Sequence, residues 1–152
     1  MNPQLAREWY EQYHTGIYRF ALSLLRNPQQ AEDVLQETFV KLLAGKFSCP
    51  TPGKEKAWLF KVARNLCMDI LRKRIQELEL PPAIAAPPGE NWEFLELISP
   101  LSQEEQMLVS LRFIGGFSHK EVAKITGSTV HAAKKRYERA IQKLREEMEV
   151  SP

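Results

Sequence analysis

The sequence predicts an all-α protein: two small helical domains joined by a flexible, proline-rich acidic linker, the second domain a helix-turn-helix. Three observations carry this. Apolar residues recur at three- and four-residue steps through both halves of the chain. Five of the ten prolines (Pro81, Pro82, Pro87, Pro88 and Pro100) crowd into one stretch, where missing backbone donors and restricted preceding residues oppose helix. Two serine–glutamate capping boxes open helices in the second half. No segment alternates with period two, so no strand is expected. The expected bounds are 1–76 for the first domain, 77–98 for the linker and 99–149 for the second domain.

In the first domain, Leu5, Trp9, Tyr13, Ile17, Phe20 and Leu24 form one stripe that Asn27-Pro28 ends. A second helix is expected from Gln29 to Ala44, with Leu35, Phe39, Leu42 and Leu43 inward and Asp33, Gln36, Glu37 and Lys41 outward. The segment GKFSCPTPGKE is a loop, and a third helix runs from Lys54 to Gln76. Leu80 to Gly89 should be extended or disordered. In the second domain the boxes begin at Ser102 and Ser118, Gly127 ends a short helix, and Ser128 or Thr129 starts the last one.

Composition bounds the function. The 152 residues carry 21 basic and 19 acidic side chains and 43% hydrophobic residues, ordinary for one globular domain or two small ones. No apolar run reaches the ~18 residues of a membrane span, and the polar, aromatic N-terminus gives no secretory signal, so a cytoplasmic protein is expected. Cys49 and Cys67 lack the spacings of a zinc site or a disulfide framework. His14, His119 and His131 fall on three different helices with no acid or cysteine at ligand spacing, and no nucleophile elbow or phosphate loop occurs. No catalysis, metal or cofactor is expected.

Charge is distributed more tellingly than its net of +2. Seven basic residues against two acids lie between Lys54 and Arg74; Ile75 to Leu111 holds seven glutamates and no Lys or Arg; six basic residues against one acid lie between Lys134 and Arg145. Two basic blocks flanking an acidic stretch suggest two polyanion-facing surfaces, although solvated helix faces would give the same pattern.

On the last helix, Val130, Ala133, Tyr137, Ala140, Ile141, Leu144 and Met148 share the core side; His131, Ala132, Lys135, Arg139, Gln142 and Lys143 lie opposite, with Arg136 flanking. A basic helix in second place in a helix-turn-helix suits a major groove. On the third helix, Leu59, Val62, Ala63, Leu66 and Ile70 oppose Lys61, Arg64, Asn65, Met68 and Arg72. Basic residues near Trp58 and Phe60 suit an unstacked strand, while Trp58 also reads as a core anchor for the loop. Asp69 has Arg72 and Lys73 at ion-pairing steps. Glu32, Asp33, Gln36 and Glu37 favour the start of the second helix through its dipole, or offer a docking face for a basic partner.

AEDVLQETFVKLL (31–43), AWLFKVARNLCMDILRKR (57–74) and the helix-turn-helix ending KKRYERAIQKLRE (134–146) together resemble the compact two-domain bacterial sigma factors of the extracytoplasmic-function group. The resemblance covers nearly the whole chain in the family's order. It implies a non-enzymatic initiation factor that binds core RNA polymerase, directs it to promoters and assists strand opening. On that resemblance Glu32–Phe39, with Glu32, Asp33, Gln36, Glu37 and Phe39, matches the helix that docks on core polymerase. Lys56, Trp58, Lys61, Arg64, Asn65, Arg72 and Arg74 match the part that melts the −10 element and holds the nontemplate strand. His131, Ala132, Lys134, Lys135, Arg136 and Arg139 match the reader of the duplex −35 element. The acidic linker would thread toward the polymerase active centre, and a separate anti-sigma factor would be the usual control.

Ala132-Ala133-Lys134-Lys135-Arg136 stands where the family usually has Thr-Val-Lys-Ser-Arg, so the family's −35 sequence does not carry over. From the residues alone, a dimeric operator-binding regulator and a polymerase-binding adaptor or antagonist remain alternatives. The first predicts tight duplex binding without polymerase at symmetric half-sites; the second tolerates neutralising Lys135 and Arg139.

Overall fold

The computed structural model describes residues 2–45, 50–77 and 92–150. All regular structure among them is helical: α1 (Pro3–Leu25), α2 (Pro28–Ala44), α3 (Glu55–Gln76), α4 (Trp92–Ile98), α5 (Gln103–Phe113), α6 (His119–Thr126) and α7 (Val130–Val150). They divide into two units, α1–α3 and α4–α7. Cys49 and most of the expected linker, residues 78–91, lie outside the described residues.

In the first unit each helix packs on both others. The reversal between α1 and α2 is encoded locally. Arg26 turns left-handed at φ 53° and donates its amide to the Leu22 carbonyl, Asn27 Oδ1 accepts from the Gln30 amide, and Pro28 occupies the first turn of α2. The proline costs nothing there, because the first-turn amide has no intrahelical partner. Ile17, Phe20, Leu22, Leu25, Val34, Leu42, Leu59 and Phe60 close the core. Phe20 and Phe60 meet at 5.5 Å between ring centroids.

In the second unit both expected capping boxes form. Ser102 and Ser118 accept from the Glu105 and Glu121 amides at 3.2 Å, and each glutamate takes back the serine amide at 3.0 Å. Gly127 ends α6 at φ 71°, where a side chain would strain the backbone. Thr129 Oγ1 then accepts from the Ala132 amide and caps α7. Ile98, Leu101, Val109, Ala140 and Leu144 form one core cluster, with Phe94, Tyr137 and Ile141 against it.

One expectation on extent and three on facing are corrected. The stretch expected to be linker up to residue 98 ends in a helix, α4, whose Leu95 and Ile98 are fully buried. Buried Gln106 donates to the carbonyls of Ile98 and Leu101, satisfying acceptors that a helix end leaves over. Leu43, Val130 and Met148, expected inward, are exposed. Val130 is the first residue of α7 and Met148 lies in its last turn, beyond the buried Leu144.

Candidate nucleic-acid interfaces and a docking face

The outer side of α2 carries Asp33, Gln36 and Glu37, all exposed, with Glu32 half-buried. These polar residues are held by one-turn contacts along the helix: Gln29 Nε2 to Asp33 Oδ1 at 3.1 Å, Gln36 to Glu32 at 3.5 Å, and Lys41 Nζ to Glu37 at 4.0 Å. Burial first, and then the Glu32 charge, raises the Tyr18 hydroxyl above its ordinary pKa. Val40 and Leu43, each 54% exposed, continue the Gln36 face toward the C-terminal end. The face is therefore acidic at one end and apolar at the other. The apolar half was missed in the sequence because Leu43 sits beside the fully covered Leu42, and a one-residue step decides which is inside.

Phe39 departs from the docking set. It is 7% exposed and meets Tyr10 edge-on at 5.0 Å, while Tyr10 stacks on His14 at 4.9 Å. Phe39 is a core residue that positions the helix, with Leu35 and Leu42 on the same side.

On α3 the outward stripe is Trp58, Lys61, Asn65, Met68 and Arg72, successive three- and four-residue steps. Lys61, Asn65 and Arg72 are exposed; Trp58, Arg64 and Met68 are half-buried, as is Lys56 just before them. Phe60 is the aromatic that enters the core, and a Cβ at Gly16 would stand 3.4 Å from its ring. Trp58, by contrast, is only half-buried. Arg64 Nη1 donates to Asn65 Oδ1 at 3.2 Å. Arg72 pairs with Asp69 at 3.1 Å, the local ion pair expected from spacing.

Arg74 does not belong to this stripe. It is 8% exposed, and its guanidinium donates to Gln30 Oε1 of α2. At ~100° per residue it falls among Ala63, Cys67 and Ile70, the packed side of α3. Its charge suggested a DNA contact, whereas its angle makes it a tie between α2 and α3. Burial pushes the neighbouring Cys67 thiol up to about 12, and the Arg74 charge offsets only part of this.

Lys56 follows Glu55, a buried carboxylate with no counterpart among the expected site residues. Tyr13 Oη donates to Glu55 Oε2 at 2.7 Å, and the Gly53 amide donates to Oε1 at 2.6 Å. Burial alone would raise this carboxyl, but bonds from Tyr13 and from the amides of Gly53, Glu55 and Lys56 outweigh it and hold it below the usual range.

On α7, His131, Lys134, Lys135, Arg136 and Arg139 are exposed and Ala132 is half-buried; Ala133 and Ala140 face the core. Tyr137 is clamped between the Arg112 guanidinium, 5.3 Å over its ring, and His119, edge-on at 5.1 Å. Two cations of α7 are engaged within the unit: Arg136 Nη1 meets Glu104 Oε1 at 3.0 Å, and Lys143 Nζ meets Glu105 Oε1 at 2.9 Å. With Ser102 and Arg139 these four side chains line a cleft of about 320 Å³.

Among the described residues no three His, Cys, Asp or Glu side chains are grouped to hold a metal, and no helix is long and apolar enough to cross a membrane.

Residues 9–75 match the family model for sigma-70 region 2, and residues 91–144 that for sigma-70 region 4. The chain is 33% identical, over 85% of its length and 77% of the relative's, to the ECF RNA polymerase sigma factor EcfG of Rhodopseudomonas palustris. It is 27% identical to the ECF sigma factor SigX of Bacillus subtilis, over 93% and 82% of the two chains. The chain belongs to the ECF RNA polymerase sigma factors.

It is accordingly a transcription initiation factor that binds core RNA polymerase and directs it to specific promoters. Its structure is similar to that of the sigma factor RpoE from Bartonella quintana, crystallised with the anti-sigma factor NepR: TM-score 0.82 and 27% identity, covering 96% of this chain and 98% of that one. The region 4 match begins at residue 91, just before α4, in keeping with the burial of Leu95 and Ile98.

Proposed function

We propose that the three faces divide the work of initiation. The exposed side of α2, with Asp33, Gln36 and Glu37 and the adjoining Val40 and Leu43, docks on a basic, partly apolar surface of core RNA polymerase. The α3 stripe of Trp58, Lys61, Arg64, Asn65 and Arg72, with Lys56, holds the melted nontemplate strand at the −10 element. The exposed face of α7, with His131, Ala132, Lys134, Lys135, Arg136 and Arg139, reads the duplex −35 element.

The observation carrying this assignment is the separation of aromatic roles at the head of α3. Phe60 is buried against Phe20, while Trp58 stays partly exposed at the end of a cationic stripe. A part-exposed tryptophan beside Lys and Arg is the equipment for unstacked bases, each base–aromatic stack contributing about 1–3 kcal/mol. A duplex reader on α7 has no use for a second such surface.

The protein acts by binding, without a catalytic step of its own, in the cytoplasm, in a stress or envelope-signal response. A separate anti-sigma factor holds it inactive; the complex of RpoE with NepR supports this by similarity.

Run-off transcription tests the proposal. Purified core polymerase, with and without the protein, is supplied with fragments of the source genome. New discrete transcripts sharing two upstream elements are expected, and Asp33→Lys with Gln36→Lys should abolish them by weakening core binding. Binding to core without any transcripts would make the protein an adaptor or antagonist. Duplex binding without affinity for core would make it an operator-binding regulator.

A further inference from the structure

Glu55 is the one buried acid among the described residues, at 8% exposure. A carboxylate in the first turn of a helix is favoured by the positive end of the dipole, but an exposed one would serve equally. Turning it inward costs desolvation that only specific partners offset. Besides the local amides of Glu55 and Lys56, those partners are a side chain 42 positions away on α1, Tyr13, and the backbone amide of Gly53. Gly53 stands at φ 95°, a conformation that glycine alone adopts without strain, and the Lys54 amide closes the same turn onto the Thr51 carbonyl at 2.9 Å. One carboxylate thus ties together α1, the turn at 51–54 and the head of α3. Three residues further along comes Trp58.

We propose that Tyr13, Glu55 and Gly53 form a positioning latch that sets −10 specificity, holding the turn at 51–54 and the Trp58 end of α3 in the one geometry that accepts an unstacked base. The inference rests on the assignment of α3 to the melted −10 strand. Glu55 is too covered to touch DNA, and Tyr13 lies on another helix, so both act through what they hold. A held turn admits a base of matching shape and excludes others; a released one accepts several, because the ordering entropy is no longer met in advance.

The test uses holoenzyme assembled from core polymerase and the full chain. Templates are the strongest promoter recovered by run-off transcription and versions of it with single-base changes in the −10 element. The readout is the ratio of open-complex formation on the native template to that on each altered one. Tyr13→Phe, which removes one hydroxyl and keeps the ring, should compress this ratio about threefold to tenfold, less than the full worth of one hydrogen bond to a charged group because the loss reaches the base only through the turn. Glu55→Gln should act in the same direction. Affinity for core and for −35 duplex should stay at wild-type values.

An unchanged ratio in Tyr13→Phe overturns the latch. So does a loss of opening that is equal on every template and follows a lowered melting temperature, since that is damage to the fold. Trp58→Ala, run in parallel, separates the two levels. If it impairs opening while Tyr13→Phe leaves the ratio unchanged, the latch fails and the α3 assignment stands. If it leaves both opening and ratio unchanged, the α3 assignment fails and the latch falls with it.

Discussion

Arg136 on α7 is held by Glu104 in the first turn of α5, Nη1 to Oε1 3.0 Å apart, with both side chains substantially exposed. A cation assigned to DNA thus already has an anion against it before any phosphate arrives. The pair is too exposed to stabilise the unit by more than about 1 kcal/mol, yet on the proposed role of α7 it is exchanged or shared when the helix meets the −35 backbone.

Glu104→Gln should therefore tighten binding of the holoenzyme to −35 duplex by about two- to fivefold at low salt, the range of one surface ion pair. The gain should fade as salt rises and screens the interaction. Fluorescence anisotropy across a salt series measures both. Weaker binding would mean that Glu104 orients Arg136 for contact rather than withholding it.

Separate substitutions on α2 should divide its core from its docking face. Phe39→Ala removes a ring packed against Tyr10 and should cost about 3–5 kcal/mol of stability, read by chemical denaturation. Val40→Asp with Leu43→Asp changes only exposed positions; the melting temperature should move little, while affinity for core polymerase falls. Unaltered core affinity would remove the apolar end from the interface.

The Tyr13–Glu55 pair gives stability a defined pH dependence. Tyr13 is pushed up to about 12, by burial first and then by the bond to and charge of Glu55. Its contribution is whole below the ordinary tyrosine value near ~10 and is lost as pH rises through about 12. Glu55 is held below the ordinary carboxylate range, so its contribution is whole above that range and lost as pH falls through the lowered value. Tyr13→Phe should flatten the alkaline limb of a melting-temperature profile. An unchanged limb would show that the hydroxyl titrates alike in folded and unfolded chains.

Cys67, fully covered on α3 with its thiol pushed up to about 12, should resist alkylation in the folded protein and react on unfolding. Peptide mapping after brief iodoacetamide treatment checks this. Rapid modification at neutral pH would show that α3 detaches from α1 and α2.

Most of the helices, both capping boxes and the Gly127 stop were legible because they are written within a few residues. So were the outward Asp33, Gln36 and Glu37 and the Arg72–Asp69 pair. What could not be read depended on residues distant in the chain. Arg74 looked like a DNA contact by charge, but its partner Gln30 lies 44 positions earlier. Glu55 is only one of two acids in a basic block by sequence, and its burial follows from Tyr13 reaching it from α1. Phe39 was legible as inward from its spacing, and Tyr10 closes over it; only its match to the family's docking segment set it among the contact residues. Helix α4 was hidden beside the prolines because seven residues give too short a period; Gln106 of α5 shows where it belongs.

The measurement closest to the centre of this assignment compares closed-complex binding with strand opening for two variants of the holoenzyme on one promoter. Permanganate reactivity reports opening and anisotropy reports initial binding. Trp58→Ala with Arg64→Ala should leave closed binding near wild type and suppress opening; Lys135→Ala with Arg139→Ala should weaken closed binding, with opening lost only in proportion. Equal losses at both stages for both variants, with folds verified by circular dichroism, would contradict the division of single-strand and duplex recognition between α3 and α7.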